Sequence, residues 1–422
     1  MQSILTSRWT RVLAPLLALY VINFIDRNNI GFAVIGGMNT DLHLGPAESG
    51  LSGGIFYLGY VILQIPSGIL VEKFDANRLI MLFSIAWGFV ATATGFVRNG
   101  DELLALRFLL GLIDGGVWTM ILVVLARWFP GSKRATANSI WLTCLPISFI
   151  IMGPISGLLI AKFDWRALFI IEGIPAILLG IGYFTIASSR PEDATWLAPA
   201  ERAQILSEQP TASSTAEHGG YLEAMLDRRV LLMSATYCFW LVGAAGVFMW
   251  IPAIIKELST QAITETGLLS TLPYIAALAG LLVIGRLSDR TGNRTKPVYF
   301  SLFFLGLFLL LSVFSHNPML SLLFLICAGT FLFSSHAPFW AIPAEIFPAQ
   351  LRGAAMGMIS LIGNVGAFIG PFAVGYVRQE TGSFVDGVLI LVASLWIAAF
   401  LATRIKRHDS GTADTAYALN AG

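Results

Sequence analysis

The sequence predicts an all-α membrane protein with twelve transmembrane helices in two six-helix halves. Three observations carry this. Only 12% of the 422 residues are charged and 56% are hydrophobic, against about 25% charged in an average soluble protein. Twelve segments supply the roughly 20 mostly apolar residues that a helix needs to cross a hydrocarbon core of about 30 Å. A polar stretch over 189–227 separates the first six from the last six.

The spans are expected at 11–36, 48–72, 78–98, 102–128, 137–161 and 165–188, then at 228–257, 266–288, 296–315, 318–343, 352–378 and 384–405. The first is too long for the apolar region of a signal peptide and carries Asp26 and Arg27, so it is read as a retained helix. The second opens on GLSGG (50–54), where small residues favour close helix packing. In the fourth lie Arg107 and Asp114, and in the sixth Glu172 precedes Gly173 and Pro175. Between the halves, the Ser, Thr, Ala and Gly tail of the 189–227 stretch lacks apolar periodicity and reads as a linker. Span seven holds Tyr237 and Trp240, span ten His336 and Trp340, and span eleven Asn364. The domains are therefore 1–188, the linker 189–227, 228–405 and a tail 406–422.

Lys and Arg placement sets orientation, because short basic loops stay cytoplasmic. With an internal N-terminus, 19 basic residues fall inside and 5 outside, namely Arg98, Lys162, Arg166, Lys256 and Arg378. Both termini, the linker and the tail are thus expected in the cytoplasm. The net charge of +1 leaves no nucleic-acid footprint. Cys144, Cys238 and Cys327 sit in apolar runs without CxxC spacing and read as packing residues.

The halves repeat. Gly68, Glu72 and Lys73 match Gly285, Asp289 and Arg290 at an offset of 217; Phe129, Pro130 and Arg134 match Phe347, Pro348 and Arg352 at 218; Gly153 and Pro154 match Gly370 and Pro371 at 217. A parallel repeat of six-helix halves implies a pseudo-two-fold axis along the membrane normal and a site between the halves at the midplane.

GRLSDRTGNR (285–294) resembles the cytoplasmic loop motif of the major facilitator superfamily. GILVEKFDANR (68–78) is its degenerate copy, with Asp75 where the family usually has Gly. Arg107 with Gly111 resembles the fourth-helix motif. Within that family, NFIDRNNIGFA, RFLLGLIDGGVW, ARWFPGSKRATAN, FIIEGIPA, PEDATWLAPAER and APFWAIP are similar to the anion:cation symporter branch, and the resemblance spans the chain. It implies the major facilitator fold, residence in the bacterial inner membrane, and carriage of carboxylates such as aromatic, hydroxy or sugar acids together with protons. Leu145 and Ser360 stand where a sugar-acid pattern has Gln and Asn, which tilts the expectation toward an apolar or aromatic body.

Charge inside the membrane carries the site. A charged residue at a helix centre costs about 2.5–3.5 kcal/mol even on the permissive insertion scale, so such residues face a partner or a cavity. Arg107 and Asp114, seven apart, share a face of span four. Asp26 and Arg27 diverge by about 100°. Asp26 and Asp114 are expected to carry protons, and Arg27 to grip the carboxylate. Arg107 either assists or holds Asp26, with the two acids competing for it. The bland alternative is an ion-pair set that fixes helix register. Glu172 is read at least as readily as a helix-end packing residue, and Glu345 as part of a loop salt bridge.

Tyr60, one turn before Gln64, is a candidate donor to the carboxylate. His336 and Trp340 share a face by i, i+4 spacing, and Tyr237 and Asn364 complete the candidate substrate-binding set, against the reading of each as ordinary core. Gly285, Asp289 and Arg290 form the expected gating motif, with Asp289 accepting from a neighbouring helix end or across the half interface.

GLSGG matches GxSxG only formally, since a nucleophile elbow needs an α/β sheet. GxxxxGK[ST] and HExxH are absent from the sequence, which disfavours an ATP-driven pump and a zinc hydrolase. A channel would need a continuous ring-lined pore. The expectation is therefore a secondary transporter rather than an enzyme, with no cofactor and no metal. Its partners would be an organic anion, protons and the lipid bilayer, and it would act as a monomer. An uncoupled uniporter or an anion exchanger of the same fold is the alternative.

Overall fold

The computed structural model describes residues 8–129, 133–208, 225–258, 262–347 and 349–405. Pro130 and Pro348 of the repeat, the linker over 209–224 and the tail with Lys406 and Arg407 lie outside them. So do the side chains of Glu72 and Arg134.

Among the described residues, eleven helices are long and apolar enough to cross a membrane. They are α1 (Trp9–Asp41), α3 (Ala76–Thr94), α4 (Gly100–Trp128), α5 (Thr136–Lys162), α6 (Trp165–Ile186), α7 (Arg228–Glu257), α8 (Ile263–Thr291), α9 (Thr295–Phe314), α10 (Pro318–Pro343), α11 (Leu351–Thr381) and α12 (Phe384–Thr403). The remaining expected span is α2 (Pro46–Lys73), whose 28 residues reach about 42 Å at about 1.5 Å per residue.

Several spans are longer than the apolar runs suggest; besides a single-residue turn at Asn29 in α1, three are broken beside a proline. The backbone ladder is interrupted at Thr143 in α5, at Ser270 in α8 and over Phe333–Ser335 in α10. Each break lies just before a proline, Pro146, Pro273 or Pro338, whose missing N–H strips a carbonyl four residues earlier of its partner. Serine hydroxyls occupy neighbouring carbonyls: Ser270 Oγ donates to Thr266 O at 2.7 Å and Ser334 Oγ to Thr330 O at 2.6 Å. Toward the C-terminal end of α1, Gly37 adopts φ +109°, where a β-carbon would be strained whatever the space around it.

Within each half, helices approach through glycine. A Cβ at Gly111 or Gly115 of α4 would run into the carbonyls of Phe56 and Tyr60 on α2, and one at Gly366 or Gly370 of α11 into those of Cys238 and Val242 on α7. Removing side chains lets backbones approach closely, the main source of packing energy where lipid is as apolar as the core.

The halves meet through α2 on α11 and α5 on α8. Gly50 and Gly54 lie against Pro371 and Phe368, Gly375 against Pro46, and Gly153 against Gly267. At this same end Ala47 N–H donates to Gln379 Oε1 (3.2 Å) and Lys256 Nζ to Ile35 O (2.7 Å). The expected outside charges gather here: Arg166 pairs with Asp41 at 2.8 Å and Arg378 with Glu257 at 2.9 Å. Further along, Gln64 Nε2 donates to Ser360 Oγ across the halves at 2.9 Å. Beyond that pair, Cβ positions at Gly353 and Gly357 meet nothing within 4 Å, so α11 has lost its close neighbour toward the linker end.

The start of the linker is packed, not loose. Trp196 stacks on Trp128 at 5.2 Å and Glu201 pairs with Arg8 at 3.3 Å, while Leu197 and Ile205 are buried. A short helix, Pro199–Glu208, thereby docks onto the N-terminal half.

Candidate functional site

The four intramembrane charges of α1 and α4 converge, with a different pairing from the one that spacing suggests. Asp114 is 1% exposed and its Oδ2 lies 3.6 Å from Arg27 Nη1. Arg107, on the same face of α4, stands two turns away, about 10 Å along the axis. Its Nε donates to Ser52 O at 3.2 Å and its Nη2 to Arg27 O at 2.9 Å. Arg107 thus ties α4 to the backbones of α2 and α1, buried behind Arg27. It has no carboxylate within salt-bridge distance among the described residues, although Asp26 acts on it electrostatically.

Asp26 is fully buried. Trp87 Nε1 of α3 donates to its Oδ2 at 2.8 Å, and Asn29 Nδ2 to its Oδ1 at 3.4 Å. The 100° divergence of neighbours on a helix accounts for this split: Asp26 turns toward α3, while Arg27 turns toward the half interface.

Arg27 is enclosed by rings, its guanidinium carbon 4.7 Å from the centroid of Phe56, 4.8 Å from Tyr57, 4.8 Å from Tyr60 and 5.2 Å from Phe24. Ring faces attract a desolvated cation by about 2 kcal/mol or more without using its N–H donors. Those donors are underused, since Arg27 Nε has no hydrogen-bond partner, nor does either oxygen of Asp114. The buried Asn23 side chain of α1 lies against the same carboxylate.

From the C-terminal half an aromatic wall faces this group. Tyr237 stacks on Phe339 at 5.3 Å and meets Trp340 edge-on at 5.2 Å, while Trp240 meets His336 at 4.6 Å. Tyr237 is close enough to Arg27 and Tyr57 for electrostatic interaction, and to Tyr60 likewise. His336 Nδ1 and Trp240 Nε1 are buried without a hydrogen-bond partner. The break at Phe333–Ser335 sets His336 at the start of a new helical segment. Asn364 donates to Ser360 O at 2.8 Å, its nitrogen thereby used within α11. Phe149 bridges the halves, stacking on Phe248 at 4.8 Å and Tyr274 at 4.3 Å.

Sequence reasoning missed Phe56 and Tyr57, which carry no signal apart from ordinary aromatic packing, and the roles of Trp87 and Asn29. Glu172, for which helix-end packing is at least as ready an expectation as a functional role, lies within α6 and accepts from Asn29 Nδ2 at 2.7 Å.

The gating motif lies apart from this site. Asp289 is exposed and pairs within its own loop with Arg294 at 2.5 Å, and Arg294 also pairs with Glu345 of the α10 end at 2.9 Å. Burial works against the Arg294 charge, but these two carboxylates outweigh it and hold the group above the ordinary arginine range. Arg290 is exposed, and a Cβ at Gly285 meets nothing within 4 Å.

Comparison with known proteins agrees with this architecture. The chain is 31% identical over 414 residues to a putative tartrate transporter of Agrobacterium vitis, covering 96% of this chain and 92% of that one. It is 29% identical over 416 residues to a quinolone resistance transporter of Acinetobacter baumannii, covering 95% of each. These relatives are transporters, not enzymes. A solved structure of a bacterial homolog to the human lysosomal transporter Spinster superposes with a TM-score of 0.76 at 16% identity, over 96% of this chain and 100% of that one. The family model of the Major Facilitator Superfamily matches residues 16–371, and with this fold and coverage the chain belongs to that superfamily.

Proposed function

We propose that the protein is a proton-coupled symporter of an organic carboxylate with an aromatic or hydroxylated body, working by alternating access. The observation that carries this is the state of Arg27. A guanidinium with five donors in a planar fork is desolvated among rings, 3.6 Å from an acid it does not hydrogen-bond. Both partners hold unused capacity, so a carboxylate entering between the halves could take the fork and leave Asp114 free to take a proton. Rings from both halves suit a flat or apolar body. The names of the tartrate and quinolone relatives support carriage of organic acids.

With the termini and linker in the cytoplasm, the α2–α11 contacts close the outer end. The site is then reached from the inner side of the bacterial inner membrane. Asp26 serves as the second proton carrier, and a single chain suffices because the site lies between its own two halves.

The test is uptake in proteoliposomes of carboxylates first selected by thermal shift, since a bound ligand raises apparent stability by mass action. An inward proton gradient should drive accumulation above the external concentration. Equilibration without accumulation would instead indicate a uniporter.

A further inference from the structure

Between α1, α3 and α6 lies a polar chain that the anion site does not use. Trp87 Nε1 donates to Asp26 Oδ2 at 2.8 Å; the Asn29 amide nitrogen then donates to Asp26 Oδ1 at 3.4 Å and to Glu172 Oε2 at 2.7 Å. Asp26 and Asn29 are 0% exposed and Glu172 6%. One side-chain amide therefore bridges two buried carboxyls. No Lys, Arg or His lies within 4.0 Å of either carboxyl among the described residues.

Two ionised carboxylates without a cation cannot share so dry a place cheaply. The unpaired atoms point the same way: Glu172 Oε1 and Asn29 Oδ1 are both buried without a hydrogen-bond partner, and with Glu172 ionised both are acceptors. A proton on Glu172 Oε1 turns that acceptor into a donor. The amide already joined to the carboxyl at Oε2 carries the unpaired acceptor Oδ1 on the same planar group, so acid and amide become complementary.

The charged groups around the pair are few. Asp26 on α1 is the charged group that acts on Glu172; Arg107 of α4 acts on Asp26, and Asp26 in turn on Asp114 of α4. From α3 come Trp87 and Thr92, which do not titrate, and α5 brings no charge to either acid among the described residues.

We propose that Glu172 is a further proton-binding carboxyl of the transport cycle, titrating with Asp26 as one acid pair bridged by Asn29. This rests on the proton-coupled reading above. Each proton taken up or lost by one acid changes the affinity of the other, as reciprocal linkage requires. Asp26 is chain neighbour to Arg27, so the pair is placed to report its protonation to the anion site.

Infrared difference spectroscopy of the full chain in liposomes, titrated without substrate, tests this directly. The wild type should show protonated-carboxyl signals from both acids. Glu172→Gln should delete one of them and move the midpoint of the Asp26 signal by about one pH unit or more, at unchanged thermal stability. Should that variant fold poorly, Asn29→Ser keeps both carboxyls and should shrink the mutual dependence of their midpoints. Carboxyl signals that titrate in Glu172→Gln as in the wild type would overturn the proposal, as would an Asn29→Ser variant with unaltered coupling. Loss of pH-driven uptake by the wild type would refute the symport reading while leaving these signals intact, so the two failures are distinguishable.

Discussion

Arg27 and Asp114 face each other at 3.6 Å across α1 and α4 with no hydrogen bond between them. A buried pair at its closest would meet at about 2.8 Å with two parallel bonds. The looser arrangement leaves the arginine fork available to a third group, and it has direct consequences for mutants.

Arg27→Lys keeps the charge and loses the planar fork. Charge-assisted hydrogen bonds contribute about 1.5–3 kcal/mol, so carboxylate affinity should fall roughly 10- to 150-fold. Calorimetric titration of the purified variant measures this. An unchanged dissociation constant would remove Arg27 as the anion anchor.

The contact of Gly54 with Phe368 predicts how the α2–α11 end closes. A Cβ at Gly54 would stand 2.5 Å from the Phe368 carbonyl oxygen, and backbone on both sides leaves only separation of α2 and α11 as relief. Overpacking of this kind costs about 1–3 kcal/mol. Gly54→Ala should therefore shift the population toward separation of the halves at the α2–α11 end. A reporter at Met249→Cys, buried against Gly31 and Gly53, should become more reactive toward an impermeant maleimide once the native cysteines are replaced. Equal labelling in both backgrounds would rule this closure contact out.

Asp289 offers a contrasting case. Its bond to Arg294 is exposed, and exposed pairs contribute about 0–1 kcal/mol, so Asp289→Ala should leave Tm within a few degrees. If the loop also secures the state closed on the cytoplasmic side, labelling there should shift toward open in the same variant. Unchanged accessibility would reduce Asp289 to a residue of the turn.

The sequence made the helices legible and left their partners hidden. Apolar length alone located the spans, because lipid demands an internally bonded backbone. The breaks in α5, α8 and α10 were written in Pro146, Pro273 and Pro338, but a proline marks a kink as readily as an interruption. Spacing puts Arg107 and Asp114 on one face of α4 but does not give the pairing, because face says nothing of depth and Arg27 reaches in from another helix. Asn29 carries no charge and gives no local signal within its span. Its bridging of Asp26 and Glu172 depends on where α6 docks, and no local pattern encodes that.

Coupling yields the most discriminating prediction. A carboxylate near an arginine holds its charge, and one deprived of that arginine in a dry site favours the proton. If substrate takes the Arg27 fork, Asp114 loses its partner and can protonate, which links the two fluxes through shared affinity for one guanidinium. Asp114→Asn cannot make that exchange. It should lose accumulation driven by a pH gradient, yet retain substrate exchange between preloaded vesicles and medium, because exchange needs reorientation of the loaded carrier without net proton release. Asp26→Asn should be more broadly damaging, since Asp26 also accepts from Trp87 and Asn29 and an amide there cannot accept at both atoms. Accumulation and exchange assays on the two variants in proteoliposomes separate the roles. Full pH-driven accumulation by Asp114→Asn would exclude Asp114 from coupling and leave that task to Asp26.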